Sequence, residues 1–304
     1  MHMKGIITVI FSYLIWGILP VYWKTLAHVS SEEILYSRII WAFILTTIFV
    51  IAMRQGPYLV SDVKMLWKQQ KQFWLLFLAS VLISGNWFIY IWAVNHNHLV
   101  QTSLGYYMNP LVSVLLGVFF LKETLSIFEK IAFVLALIGV LSLTIYYGGL
   151  PWIAIVLALS FAFYGLIKKQ IPLHATRGLA IETFFVMPIA LIAYIPLFQR
   201  HEAFIVNDSM QTTVLLIGTG IATALPLILF AKGAQQIPLY MVGFLQYIAP
   251  TMMLILGVIV YGEAFSKVEF MSFFFIWLAL IVFALSKLTF FFKKRALIPE
   301  NKGI

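Results

Sequence analysis

Long apolar stretches separated by short polar breaks dominate this chain. A helix needs roughly 20 apolar residues to cross the hydrocarbon of a bilayer, and the uncharged runs supply that length repeatedly. Residues 5–23 form one run, and 33–53 a second, interrupted by Arg38. No charge occurs from 73 to 121, room for two helices in a hairpin, with Asn95-His96-Asn97-His98 as the polar break inside it. Residues 131–167 hold two more, split at Tyr146-Tyr147-Gly148-Gly149-Leu150-Pro151. The runs 179–198, 211–231, 238–261 and 267–288 complete ten predicted spans. The segment 56–71 places Asp62, Lys64 and Lys68 among apolar residues and reads as a cytoplasmic loop with a short interfacial helix. The pattern is that of an all-α membrane protein.

Composition agrees. Of the 304 residues, 62% are hydrophobic and 10% charged, where a soluble domain approaches a quarter charged. The lipid bilayer is the first partner implied. The run 5–23 lacks a small-residue cleavage site and is followed by many more spans, so it reads as a retained helix rather than a signal peptide. The absence of cysteine excludes disulfides, thiolate metal sites and cysteine nucleophiles. With the N-terminus inside, sixteen of the 20 Lys and Arg fall on the inner side; Lys24, Arg200 and Lys267 fall outside and Arg38 lies within a span. That bias predicts two cytoplasmic termini. It also accounts for the net charge of +9 without invoking nucleic acid.

The chain also matches itself. At an offset of 140, Tyr107-Met108-Asn109-Pro110 aligns with Tyr247-Ile248-Ala249-Pro250, Gly117-Val118 with Gly257-Val258, Glu123 with Glu263, and Ser126 with Ser266. An earlier block, Ser12 with Trp16-Gly17, aligns with Ser160 and Tyr164-Gly165 at 148, and Glu33 with Glu182 at 149. Matches in order at nearly constant spacing mark an internal repeat. The predicted divisions are a five-helix repeat over 1–149, a second over 150–290, and a basic cytoplasmic tail at 291–304. An odd number of spans per copy turns the second upside down, and inverted repeats place a site between the halves near mid-membrane.

The five-plus-five plan resembles the EamA family of the drug/metabolite transporter superfamily. The blocks Ser12-Tyr13-Leu14-Ile15-Trp16-Gly17, Gly85-Asn86-Trp87, Trp92-Ala93-Val94-Asn95, Leu104-Gly105-Tyr106-Tyr107-Met108-Asn109-Pro110 and Gly243-Phe244-Leu245-Gln246-Tyr247-Ile248-Ala249-Pro250-Thr251 resemble its RarD-like branch. The resemblance covers nearly the whole chain. It implies a permease of the bacterial inner membrane and a family association with chloramphenicol phenotypes.

Ionisable groups within spans are expensive and therefore informative. Glu33 and Glu182 stand near helix starts, where an acid complements the macrodipole; the competing role is proton coupling. Arg38 lies more than a turn deeper and points to the bundle interior. Glu33 and Arg38 are five apart, so they are not a standard helical pair, and the partner of Arg38 belongs on another helix. A second constellation is aromatic and amide: Trp16, Asn86, Trp87, Tyr106, Asn109, Tyr164, Gln246 and Tyr247. Such residues suit a cavity for an amphipathic molecule, or serve as glue between helices. Pro110 and Pro250 each remove a helix hydrogen bond and are expected to act as gating kinks. Ala154, Ala158 and Ala162 make a stripe for close packing.

His96 and His98, two apart with no nearby carboxylate, read as loop residues rather than metal ligands. No nucleotide-binding, zinc-helix or serine-elbow motif is present, so neither cofactor nor enzymatic activity is expected. The sequence points to a secondary transporter of small organic molecules, of the efflux type, working by alternating access. A membrane-embedded enzyme on lipid-linked substrates and a non-transporting sensor are the alternatives. The first lacks a polar catalytic cluster, and the second has no need of a repeat.

Overall fold

A computed structural model describes residues 3–96, 98–149, 152–262 and 265–296. Asn97, Leu150, Pro151, Glu263 and residues 297–304 of the basic tail lie outside the described residues. The helices are α1 (Met3–Thr25), α2 (Ser31–Ala52), α3 (Gly56–Lys68), α4 (Gln70–Asn95), α5 (Leu99–Leu121), α6 (Ile127–Tyr146) and α7 (Trp152–Gln170). They continue as α8 (Ala175–Gln199), α9 (Phe204–Asn207), α10 (Met210–Ala234), α11 (Leu239–Gln246), α12 (Ile248–Ile255), a π-helical turn (Leu256–Val260) and α13 (Lys267–Ala296). Among the described residues, ten helical segments are long and apolar enough to cross a membrane; one of them, Leu239–Val260, is assembled from α11, α12 and the π turn. α3 is the short helix expected in the loop after the second span.

Local chemistry sets the helix starts. Ser30, Ser126, Ser209 and Ser266 each accept the backbone N–H three residues on, relieving donors that a helix start leaves unpaired. The break inside the ninth span has an equally local cause. Pro250 has no N–H to give the Gln246 carbonyl, and α11 ends at Gln246. Pro110, its repeat mate, is carried inside a continuous α5. Of the two expected kinks, one interrupts its helix.

The packed pairs follow one rule. The main ones are α6–α13, α5–α7, α2–α8, α2–α10, α1–α10, α5–α11, α4–α7, α1–α12 and α4–α8. Exchanging spans one to five for spans six to ten returns the same set. Matched serines follow it too. The Ser12 hydroxyl donates to the Pro226 carbonyl at 2.8 Å, joining α1 to α10. Ser160 receives the Asn86 amide at 2.8 Å, joining α7 to α4. Ala154, Ala158 and Ala162 are fully buried along α7, and a side chain on Gly105 of α5 would meet the Ala154 carbonyl at 3.2 Å. Large apolar side chains such as Ile145, Ile192 and Ile259 stay exposed, as lipid-facing residues do.

Candidate functional site

A cavity of about 330 Å3 opens within the bundle. Its largest wall comes from α1, where Tyr13, Trp16, Pro20, Trp23 and Lys24 recur at helical spacing on one face. The eleven steps from Tyr13 to Lys24 cover about 16 Å of rise, so the cavity runs from mid-bundle to the end where α1 stops, here the far end. The near end is the one where α1 begins. Opposite α1 stand Arg38 from α2; Asn86, Trp87 and Tyr90 from α4; Tyr106 and Asn109 from α5; Phe161 from α7; and Gln246, Ala249, Pro250 and Met253 from α11 and α12. A smaller cavity of about 230 Å3 between α5, α6, α12 and α13 shares Tyr106, Pro250 and Met253 with it.

Arg38 sits between two indoles, its guanidinium carbon 4.6 Å from the Trp87 ring centroid and 5.0 Å from that of Trp23. Both rings offer it their negative faces. Its Nε donates to Thr223 Oγ1 of α10 at 3.0 Å, so its partner is indeed on another helix. The close approach of α10 to α2 permits this: a Cβ on Gly220 would come within 2.5 Å of the Trp41 carbonyl carbon. The Asn86 amide donates to the Leu157 carbonyl at 2.9 Å and to Ser160. Asn86 therefore ties α4 to α7 while lining the cavity. Asn109 accepts the Ser113 hydroxyl at 3.4 Å. The Tyr13 hydroxyl and Gln246 Oε1 are buried without a hydrogen-bond partner among the described residues.

Not every aromatic singled out from the sequence lines this space. Tyr247 is buried and its hydroxyl donates to the Tyr107 carbonyl at 3.2 Å. Tyr164 lies under the cavity floor. There it stacks on Phe230 at 6.0 Å, with Trp16 5.7 Å from Phe161 and Phe161 5.5 Å from Phe230. Below this aromatic layer the Tyr164 hydroxyl donates to Glu182 at 3.3 Å, and Lys168 pairs with the same carboxylate, both side chains being buried. The charge count places Lys168 on the inner side and says nothing of its burial. Its burial was hidden because Glu182 lies in the next span.

Glu33 is fully buried and its carboxylate is saturated. It accepts the Tyr194 hydroxyl at 2.7 Å and the N–H groups of Phe204 and Ile205 at 2.9 and 3.0 Å. It thus caps α9 rather than α2. At the near end Glu123 accepts the N–H groups of Leu239 and Tyr240 at 2.7 and 2.9 Å, closing the start of α11. Arg177 holds α3 to α8 through Asp62 at 2.5 Å. Tyr13, Trp23, Tyr90 and Phe161 were missed as cavity residues. For Tyr13 and Trp23 the signal was available: they stand three before and seven after Trp16, on its helix face.

Comparison with known proteins carries the same plan further. Residues 3–145 match the EamA-like transporter family. The chain is 47% identical over 284 residues to YojE of Bacillus subtilis, named an uncharacterized transporter, covering 93% of this chain and 94% of that one. It is 39% identical to Protein RarD of Escherichia coli, over 93% and 94% of the two chains, and 42% identical to an uncharacterized transporter of Vibrio cholerae, over 94% and 93%. A solved crystal structure superposes with a TM-score of 0.68 over 91% of this chain and 96% of that one, at 16% identity, which speaks for the fold alone. Ten apolar spans and full-length similarity to transporters lead to one assignment: the chain belongs to the EamA-like transporter family, among relatives of the RarD type.

Proposed function

We propose that this protein is a secondary transporter that carries small organic solutes across the bacterial inner membrane by exposing one cavity alternately to its two sides. The observation that carries this reading is the position of the cavity. It draws walls from both sets of five spans, reaches the far end, and is closed toward the near end by the aromatic layer and the Lys168–Glu182 pair. Rocking one half against the other would part Trp16 from Phe161 and Phe230 and shut the far side. Export is the direction of this proposal.

Of the two acids considered for proton coupling, Glu182 suits the role better. Its partners are side chains of α7, and a shift of α7 against α8 within the second half would release its carboxylate. Glu33 is held by backbone donors of a surface turn. In that scheme Glu182→Gln abolishes solute uptake driven by a pH gradient in inverted vesicles but leaves counterflow intact.

Counterflow of a labelled metabolite panel in proteoliposomes tests the main reading, with a reporter cysteine at Ala249, which is workable because the chain has none of its own. Transport predicts counterflow of at least one solute and labelling of residue 249 from either side. A folded protein that moves no solute and is labelled from one side alone would refute it.

A further inference from the structure

We propose that the cavity selects organic anions, holding a carboxylate at Arg38 with the apolar body of the solute against Trp16, Trp23 and Trp87. The proposal rests on the transport reading above and deepens it by naming the substrate class.

The first observation is one of missing charge. Elsewhere in the bundle, shielded cations have acids: Lys168 has Glu182, Lys287 has Glu129, and Arg177 has Asp62. Arg38 is the exception, with no ion pair to any carboxylate among the described residues and no Asp or Glu on the cavity wall. The second cation there, Lys24, lies 3.5 Å over the Tyr261 ring. An unneutralised arginine within a span is costly, and a protein that keeps one in a cavity leaves the counter-charge to a ligand.

The second observation is directional. A guanidinium has five N–H donors in a fixed fork. The Nε–H of Arg38 is committed to Thr223, and Trp23 and Trp87 lie against the ion. The donors on its terminal nitrogens have no acceptor among the described residues. That edge matches the two oxygens of a carboxylate. The clamp by two indoles and a hydroxyl fixes the fork before the ligand arrives, which reduces the entropy lost on binding.

The third observation describes the rest of the ligand. Gln246 and Tyr13 line the cavity and are more than nine-tenths buried, and Gln246 Oε1 and the Tyr13 hydroxyl have no hydrogen-bond partner among the described residues. Gln246 Oε1 can only accept, so a hydroxyl or N–H on the solute would satisfy it once a local shift uncovers it. The remaining lining is largely aromatic and aliphatic. A volume near 330 Å3 lies at the small end of ligand pockets. The class is therefore a small organic acid with an apolar or aromatic body and one further donor.

Three probes with one carbon skeleton separate charge from shape: 3-phenylpropionate, 3-phenylpropanamide and 3-phenylpropylammonium. Their binding to the full chain in nanodiscs of neutral lipid is read by quenching of tryptophan fluorescence. The carboxylate should bind at least about tenfold more tightly than the amide, as a charge-assisted hydrogen bond requires, and the ammonium most weakly. Arg38→Gln should erase the difference between carboxylate and amide, and Arg38→Lys should restore part of it. The wild-type ranking stands as a test even if a variant fails to fold. Equal affinities, no carboxylate binding at millimolar concentration, or a preference that survives Arg38→Gln overturns the proposal. Counterflow of neutral solutes untouched by Arg38→Gln would remove the anion site and leave transport standing. Arg38-dependent carboxylate binding without counterflow of any solute would do the reverse.

Discussion

Glu129 and Glu269, 140 positions apart, hold the starts of α6 and α13 in the same way and then reach across to each other's helix. Each accepts its N-cap serine N–H at 2.7 Å, Ser126 for one and Ser266 for the other. Glu129 takes its remaining partner, Lys287, from the second half of α13. Glu269 takes Tyr147, from the end of α6, at 2.5 Å. Lys287 and Tyr147 are themselves 140 apart, so the two clasps are one arrangement applied twice with a different donor.

That difference makes their loss unequal. Glu129→Gln leaves the Lys287 ammonium without its anion in a shielded site, and should cost about 3 kcal/mol. Glu269→Gln still offers an acceptor to the neutral Tyr147 hydroxyl and should cost about 1 kcal/mol. Thermal unfolding in detergent compares them. Equal losses would show that the donor's charge is irrelevant at these clasps.

Glu33 spends its carboxylate on a tyrosine hydroxyl and two backbone N–H groups. A glutamine there turns an NH2 toward at least one donor, so Glu33→Gln should destabilise by about 1–3 kcal/mol. Amide exchange at Phe204 and Ile205 should accelerate with it. Exchange at those amides as slow as in the wild type would show that α9 is held by something else.

Gly220 sets the height at which Thr223 meets Arg38. Gly220→Val pushes α10 away from Trp41, against which even a Cβ would come within 2.5 Å, and should cost about 1–3 kcal/mol by overpacking. Solute affinity should fall in the same variant, because the Nε hydrogen bond lengthens. Lost stability with unchanged affinity would detach the clamp from the helix crossing.

The two prolines should differ. Pro250→Ala restores a donor to the Gln246 carbonyl and should let α11 and α12 join across Tyr247. Counterflow should slow by about tenfold, equivalent to ~1.4 kcal/mol on the barrier between the open states. Pro110→Ala alters a helix that is already continuous and should slow it less. Unchanged rates in the double variant would reduce both residues to packing.

The sidedness rests on charge placement, which reporter fusions check. A reporter after residue 56 or after residue 304 should read cytoplasmic, and an insertion near Asp208 external. An external residue 304 would require an odd number of spans.

Much of this molecule is legible as sequence because the bilayer imposes a local rule. Each backbone polar group in hydrocarbon must be satisfied within its own helix, so every span declares itself by length and apolarity, without reference to its neighbours. The internal sequence match is equally direct, since aligned residues such as Ser126 and Ser266 keep matched caps. Even Arg38 announces an interior position, because a cation in a span cannot face lipid cheaply.

What required the tertiary structure is whatever depends on which helices meet, and in which state. Lys168 is one more inner-side cation in the charge count until Glu182 of the following span is placed against it. Glu33 reads as an acid in the first turn of α2 until α9, more than 160 residues later, brings it two N–H groups. Trp16 and Tyr164 are repeat mates, yet one lines the cavity and the other is sealed beneath it. The sequence treats them as equivalents because the fold is indifferent to exchange of its halves. A cavity that runs from mid-bundle to one end cannot share that indifference. Each half then meets a different surrounding, and only the packed structure decides which of two matched aromatic residues faces the solute.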